Sequence, residues 1–150
     1  MDFLNDKLVL FTSKKYEPIY MHLSVDFSIK YYELFILCAT LGFKEERSLP
    51  LEEKGREFKS HYFNSKQKTT FYSIILNDNE LGKNIEAFED KEFMTKCKKK
   101  LEQYAEGGME ILCEELFGNK WQAPVLDSGY EDYDIDIIKF VLEKSMTVPF

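Results

Sequence analysis

The strongest regular pattern in the sequence is DKEFMTKCKKKLEQYAEGGMEILCEELF, residues 90–117. Its apolar positions recur every three or four residues, which places their side chains on one face of an α-helix. These positions are Cys97, Leu101, Tyr104, Gly108 and Leu112. Asp90 is a suitable N-cap, Glu92 suits the first turn, and Gly118 suits the C-terminal end. The stretch therefore predicts a long helix with one buried face.

The pair Gly107–Gly108 lies in the middle of this helix. A glycine in a helix interior costs about 1 kcal/mol relative to alanine, so the pair needs a structural reason. A bend and a close approach to a neighbouring backbone are two such reasons. We predict a kink, or two abutting helices, at this pair.

A second helix is predicted over residues 28–41, with Gly42 at its C-terminal end. Apolar residues recur at helical spacing on one face, and further apolar residues fill the other face, so the helix should be central and covered on both sides. The first face comprises Tyr32, Phe35, Ile36, Ala39 and Leu41, and the second comprises Leu34, Leu37 and Cys38.

Weaker patterns fill the rest of the chain. Residues 7–12 favour a short strand, and residues 43–66 read as a connection with one amphipathic piece around Phe58 to Phe63. A helix should begin near residues 67–70 and end at 77–79, although Thr69–Thr70 leave a strand open, and residues 81–88 favour a short turn. A last helix is predicted over 134–145, with inward-facing Ile135, Ile138, Val141 and Leu142.

These elements predict a mostly α fold, namely a compact helical bundle that allows for a short N-terminal β-strand or hairpin. The length of 150 residues suits one domain, with the acidic loop and last helix, residues 119–150, as a C-terminal extension. An apolar content of 44% is enough for a packed core, and 15% aromatic residues predict that the core or a docking face is rich in rings.

Charge and cysteine content restrict the class of protein. The net charge is -7, and residues 76–150 carry all of the excess with a net charge of -8, which disfavours non-specific binding to nucleic acid. Cys38, Cys97 and Cys113 are unevenly spaced among apolar or helical neighbours, so we expect buried, reduced thiols. Without a signal-peptide pattern or an apolar run of about 20 residues, the sequence predicts a soluble cytoplasmic protein that contacts no membrane.

Asp132, Asp134, Asp136 and Glu143 occupy the first, third, fifth and twelfth positions of a calcium-loop pattern. The sixth position requires glycine for a sharp turn and is Ile137 here. We therefore interpret Asp132 and Asp134 as caps of the last helix. Alternatively, the acidic strip is a surface for a basic partner; it comprises Asp127, Glu131, Asp132, Asp134 and Asp136. The sequence predicts no metal site and no cofactor.

The sequence contains no catalytic pattern. His22 and His61 lack the i, i+4 spacing of a two-histidine metal face, and phosphate loops, nucleophile elbows and paired zinc cysteines are absent. We predict no catalytic residue and no enzyme activity. A dispersed site that forms only in three dimensions, for example from Asp26, Glu57 and His61, stays an alternative.

Basic side chains cluster in two places. Lys96, Lys98, Lys99 and Lys100 lie on the long helix, where a solvated face is their simplest role. A weaker patch consists of Lys54, Arg56 and Lys59, and the two patches could meet in space. The alternative function is therefore a small DNA-binding or regulatory module that contacts phosphates through these residues, with steeply salt-dependent binding.

Two stretches resemble a known family: YELFILCATLGFK, residues 32–44, and YAEGGMEIL, residues 104–112. The first stretch predicts a buried helix that ends in an Ala-x-Leu-Gly-Phe-Lys sequence, and a polar loop and a Tyr-Ala-x-Gly-Gly helix follow it. This arrangement resembles that of the small proteins associated with bacterial DNA phosphorothioation (dnd) loci. The resemblance covers about residues 25–117. It implies an accessory protein of a bacterial defence system against foreign DNA, and it supplies no catalytic residues.

Together these observations predict a non-catalytic accessory or assembly subunit of a bacterial anti-phage defence or DNA-modification-linked restriction complex. Its partners would be larger protein subunits, with nucleic acid contacted only inside the complex and self-association as a further option. Exposed rings would anchor the partner and the acidic strip would steer its approach, unless the rings pack in the chain's own core. The predicted partner-binding residues are Trp121, Tyr130, Tyr133, Phe150, Asp132, Asp134 and Asp136.

Overall fold

A computed structural model of the chain describes residues 8–81 and 90–144. The fold is mostly helical, as predicted. Its elements in chain order are β1 (Val9–Ser13), α1 (Glu17–Phe27), α2 (Tyr31–Lys44), β2 (Lys54–Lys59), α3 (Ser65–Asn77), α4 (Lys91–Ile111), a π-helical segment (Leu112–Phe117), β3 (Trp121–Gln122), β4 (Val125–Leu126) and α5 (Tyr133–Glu143). Short 3₁₀ turns occupy Ser60–Tyr62 and Gly118–Lys120. Within the described ranges, no helix has the length and apolarity needed to span a membrane.

The centre of the fold is the packed pair α2 and α4. As predicted, α2 is buried nearly all round, and the apolar stripe of α4 is buried along its length. Asp90 caps α4, because its Oδ1 accepts a hydrogen bond from the Glu92 amide at 2.9 Å. The two helices therefore form the core on which the other elements pack.

Glycines allow α2 and α4 to approach each other closely. A Cβ atom on Gly108 would overlap the Cys38 carbonyl group, and one on Gly42 would overlap the Tyr104 carbonyl group. The helix break predicted at Gly107–Gly108 is wrong, because α4 continues unbroken through the pair, while the kink stays a prediction. Gly42 does not end α2, which continues to Lys44. Close backbone contact is therefore the reason for these glycines.

A two-stranded antiparallel sheet covers one side of the core. The predicted N-terminal strand is β1, and it pairs with β2 so that Val9 lies opposite Lys59 and Phe11 lies opposite Glu57. The interpretation of β2 as part of a connection is wrong. β2 reads KGREFK and buries only Phe58, so it has no alternating apolar pattern and depends on β1 for its hydrogen bonds.

Two further helices complete this half of the chain. α1 was not predicted, although Pro18 suits a first helical turn and Ile19, Tyr20 and Leu23 are buried. α3 begins with a capping box, in which Asn64 accepts a hydrogen bond from the Gln67 amide and Gln67 accepts one from the Asn64 amide. The helix predicted there is confirmed and its strand alternative is wrong. The predicted turn at 81–88 lies almost wholly outside the described residues.

α5 packs against α1 and the π-helical segment. Its buried residues are Tyr133, Ile137, Phe140 and Val141. The predicted inward orientation is therefore correct for Val141 and wrong for Ile135, Ile138 and Leu142. The reason is that the helix has two apolar faces, and the face with Tyr133 and Phe140 buries larger rings. Lys144 fixes the end of α5 through ion pairs to Glu115 and Glu45 at 3.0 and 3.3 Å.

Candidate functional site

The outer face of α5 carries three exposed aliphatic side chains, Ile135, Ile138 and Leu142, which we call the α5 stripe. They are 47%, 40% and 62% exposed. Because they are three and four residues apart, they lie along one side of the helix, turned away from the buried residues of α5. Neighbouring exposed aliphatic side chains on one helix face are typical of a docking surface.

Acidic side chains flank the α5 stripe. Asp132 and Glu143 are exposed at the two ends of the helix, and Asp134 is half-buried in its first turn. Asp134 accepts a hydrogen bond from the Ile135 amide at 2.9 Å, and Asp136 also lies in the first turn, where carboxylates favour the helix dipole. The stripe is thus an apolar surface with a mostly acidic border, in which exposed Lys139 is the one basic side chain of α5 beside it.

Tyr133 belongs to the core of this protein, so its assignment as a partner anchor is wrong. The side chain is 1% exposed, and its ring packs edge-on against Phe27 and Phe117 at 5.6 and 5.7 Å. Its hydroxyl group donates a hydrogen bond to the Asp127 carbonyl oxygen at 2.7 Å. Through these contacts the Tyr133 side chain attaches α5 to α1 and to the π-helical segment.

Tyr130 and Asp136 form a hydrogen bond at the start of α5. The Tyr130 hydroxyl group donates to Asp136 Oδ2 at 2.5 Å, and this hydrogen bond raises the pKa of Tyr130 to about 12. Lys120 Nζ lies 4.4 Å from the centroid of the same ring. Asp136 therefore has a structural partner in its own chain, while Tyr130 stays half-buried at the edge of the surface.

Trp121 is half-buried beside Tyr16, with 5.8 Å between ring centroids. Its indole Nε1 is buried and has no hydrogen-bond partner among the described residues. A buried donor without an acceptor is uncommon in folded proteins.

Phe150, the last predicted anchor, lies outside the described residues.

A cleft of about 610 Å³, which no sequence pattern indicated, lies between the start of α1, the loop before β2 and α4. Glu106 lies in it and is almost completely buried. Burial raises the pKa of Glu106 to about 7; Glu52 and Glu110 add to the rise, whereas Ser13 and Lys15 oppose it. The available signal was the four-residue spacing of Glu102, Glu106 and Glu110, but spacing alone does not show which carboxylates are buried.

The structure joins parts of the two basic patches. Lys54 Nζ and Lys98 Nζ lie 4.6 and 5.0 Å from the centroid of the same ring, Phe11. Together with Lys99 they line a cleft of about 430 Å³ between the loop before β2 and α4. We call these three residues the lysine cleft.

The remaining predicted basic residues lie elsewhere. Lys100 pairs with Glu80 at 3.2 Å and approaches Asp78 at 3.9 Å, while Lys96 lines a hollow beside Glu80. Arg56 lies 4.6 Å over the Tyr31 ring, and Lys59 is exposed on β2 opposite Val9. Lys99 lines the hollow beside Glu80 as well as the lysine cleft, so the predicted lysine group on α4 extends over two surfaces that share Lys99.

The dispersed site considered from the sequence is not assembled. Asp26 pairs with His22 Nδ1 at 2.7 Å, and His61 packs beside Tyr62. Across residues 8–81 and 90–144, no hydrogen bond or ion pair joins any two of Asp26, Glu57 and His61. Those ranges also contain no group of three or more His, Cys, Asp or Glu side chains that could hold a metal ion.

The three cysteines are buried and unpaired, as expected. Burial raises the pKa of Cys97 and of Cys113 to about 12, and it raises that of Cys38 well above its ordinary value. A thiol with a raised pKa is mostly protonated near neutral pH and is a poor nucleophile.

Comparison with protein families finds a match over the middle of the chain. The model of a family described as DNA sulphur modification system-associated protein 4 matches residues 24–127. This range contains both stretches on which the dnd resemblance rests, and it ends before α5. Searches of curated proteins and of solved structures give no match. Because the family model covers more than half of the sequence, the chain belongs to the family of DNA sulphur modification system-associated protein 4.

Proposed function

We propose that this chain is a non-catalytic accessory subunit of a bacterial DNA sulphur modification system, and that it binds another protein of that system through the α5 stripe. The observation that carries the proposal is the exposure of Ile135, Ile138 and Leu142 on one helix face. We further propose that the complex acts in the cytoplasm in defence against foreign DNA. Family membership supports the association with such a system.

The α5 stripe offers enough apolar surface to contribute to a specific contact. Complete burial of one large aliphatic side chain is worth about 1.5–3 kcal/mol relative to full exposure. The three side chains are already about half covered, so each adds roughly half of that value on docking. The stripe would thus form the centre of an interface whose remaining affinity comes from its surroundings.

The expected partner surface is apolar with a basic border. Asp132, Asp134 and Glu143 flank the stripe, and the C-terminal half of the chain has a net charge of -8. Lysine or arginine side chains around an apolar groove would match this border and speed association. An amphipathic helix or a helix-sized groove with such a border is the partner that fits best.

The non-catalytic role rests on the state of the reactive groups. The three thiols are buried with raised pKa values, which favours inert cysteines. Glu106 lies in a cleft with a pKa near neutrality, its hydrogen-bond partner is the buried Ser13 hydroxyl group, and no histidine is among the described residues that line this cleft. These features support binding over chemistry.

The test is co-purification of the full-length tagged chain with the other proteins of its own DNA sulphur modification system. The variant Ile138→Ser/Leu142→Ser removes most of the stripe, and we expect the affinity for the partner to fall at least about tenfold. Both side chains are already about half covered in the free chain, so the double variant should lower the free energy of unfolding by roughly 1–3 kcal/mol, and circular dichroism checks that it is folded.

Tyr62→Ser is the matched control, because Tyr62 is another exposed large side chain. Tyr62 packs on Tyr32 at the N-terminal end of α2. The end of α5 lies at the opposite end of α2, where Lys144 contacts Lys44, so Tyr62 is outside the α5 stripe. The control should retain the partner. Full retention by the stripe variant, or equal loss in both variants, would contradict docking through α5. A change in self-association alone would assign the stripe to a second copy of this chain and also overturn the proposal.

Charge reversal tests the acidic border separately. Asp132→Lys/Asp134→Lys should slow association by roughly tenfold or more at low salt, and the difference should shrink as salt is added. Asp136 is left unchanged, because its hydrogen bond to Tyr130 holds the loop before α5. Stopped-flow mixing with the purified partner measures the rate, and an association rate independent of these charges would exclude electrostatic steering by this border.

A further inference from the structure

We propose that the lysine cleft binds a phosphate group through Lys54, Lys98 and Lys99. The inference concerns a different surface from the α5 stripe and does not depend on the docking proposal. A phosphate ester of a nucleic-acid backbone and that of a free nucleotide share the chemistry that this cleft would recognise.

Lysine side chains from separate parts of the chain converge on this cleft. Lys54 belongs to β2 and Lys98 to α4, yet both ammonium groups lie within 5.0 Å of the centroid of the Phe11 ring. Lys99 lines the same cleft. An anion in the cleft is attracted by each of the three ammonium groups that line it.

None of these three lysines forms an ion pair with another described residue. Other lysines of the described residues do: Lys14 pairs with Glu53 at 3.3 Å, and Lys144 pairs with Glu115 at 3.0 Å. By contrast, Lys54, Lys98 and Lys99 have no carboxylate within 4.0 Å anywhere in residues 8–81 and 90–144. Their charges are available to a ligand.

Among the described residues that line the cleft, only Glu102 carries a carboxyl group, and that group already accepts a hydrogen bond within the chain. It is 6% exposed and accepts a hydrogen bond from the Phe11 amide at 2.8 Å. Burial raises its pKa, although the Phe11 hydrogen bond, Lys98 and Lys54 oppose the rise. Glu102 therefore offsets the three positive charges only in part.

The shape and lining of the cleft suit a phosphate ester. Its volume of about 430 Å³ exceeds that of a single phosphate group. Pro50 and Leu51 form an apolar wall, while Thr95 and Gln103 provide polar groups beside the lysines. The wall can contact a sugar or a base while the ammonium groups hold the phosphate, which favours a nucleotide unit over a bare inorganic anion.

The experiment uses the full chain and three probes: a labelled DNA duplex of about 20 base pairs, AMP and inorganic phosphate. The test variant is Lys54→Gln/Lys98→Gln/Lys99→Gln. The control, Lys66→Gln/Lys91→Gln/Lys139→Gln, changes the net charge equally at exposed lysines outside the cleft. Fluorescence anisotropy across a salt series follows the duplex, and NMR titration follows AMP and phosphate; circular dichroism checks that both variants are folded.

Loss of at least about tenfold in duplex affinity, with a shallower salt dependence, in the test variant alone would support the site and assign it to nucleic-acid backbone. Saturable binding of AMP or phosphate that the test variant loses, without duplex binding, would support the site and assign it to a free phosphate compound. Binding of no probe, or an equal loss in the two triple variants, would overturn the proposal.

Discussion

Gly108 fixes the distance between the two central helices. At this residue the backbone of α4 lies directly against the Cys38 carbonyl group of α2, so there is no room for a side chain. The neighbouring Gly107 plays the same part against the Arg47 carbonyl group. A helix-weakening residue is retained here because it permits a contact that no other residue allows.

Gly108→Ala should destabilise the protein by about 3 kcal/mol or more, because the added methyl group overlaps backbone atoms that cannot move independently. Urea unfolding measures the change. Gly129→Ala is the control, because a Cβ atom there meets only an Asp127 side-chain oxygen at 3.4 Å. A loss below about 1 kcal/mol for Gly108→Ala would show that the helices can separate at little cost.

Single residues also mark the limit of the sequence analysis at the candidate sites. The acidic residues beside α5 were found because they are consecutive in the chain. The sequence does not show whether Lys54 and Lys98 line the same cleft, because this depends on how β2 lies beside α4. The burial of Glu106 could not be inferred, because its i, i+4 neighbours Glu102 and Glu110 follow the same pattern and differ in burial.

At the level of elements, α5 is attached by one face and exposed on the other. Tyr133 provides the attachment through ring contacts and through its hydrogen bond to the Asp127 carbonyl oxygen. The α5 stripe lies on the opposite side. Substitutions on the two faces should therefore have different effects on stability.

Tyr133→Ala should lower the free energy of unfolding by about 3–5 kcal/mol, because it leaves a cavity between α5, α1 and the π-helical segment. Tyr133→Phe should cost only about 1 kcal/mol, since it removes one hydrogen bond and keeps the ring. Thermal unfolding compares both with Ile138→Ser. If Ile138→Ser were the most damaging of the three, the orientation of α5 would be the reverse of that described.

The elements found from the sequence are those with their own internal pattern. α2, α3 and α4 have helical periodicity or clear capping residues, so local physics specifies them. β2 is mostly charged, and its hydrogen-bond partner is more than 40 residues away in the chain. The orientation of α5 was misassigned because its sequence offers two apolar faces, and only the position of α1 and the π-helical segment selects between them.

At the scale of the whole molecule, a buried carboxyl group should make stability depend on pH. Burial raises the pKa of Glu106 from 4.5 to about 7, so the folded state keeps a proton that the unfolded chain releases. The free energy of unfolding should therefore fall as pH rises between about 5 and 7. Glu102 contributes in the same direction, because its pKa is also raised.

Glu106→Gln should reduce this dependence, because the amide stays neutral at every pH. Urea unfolding at about pH 5 and pH 8 measures the difference. Glu57→Gln is the control, since Glu57 is an exposed carboxylate on β2 that does not line this cleft. An identical pH dependence in Glu106→Gln and in the unmodified chain would mean that Glu106 is ionised in the folded protein.

The region matched by the family model and the α5 stripe occupy different parts of the chain. Residues 24–127 include the glycine contacts that set the spacing of α2 and α4, whereas α5 begins at Tyr133. Mutations on the stripe are free of the packing constraint that governs the core. If the docking proposal holds, a change of protein partner would require substitutions on this one helix and would leave the spacing of α2 and α4 untouched.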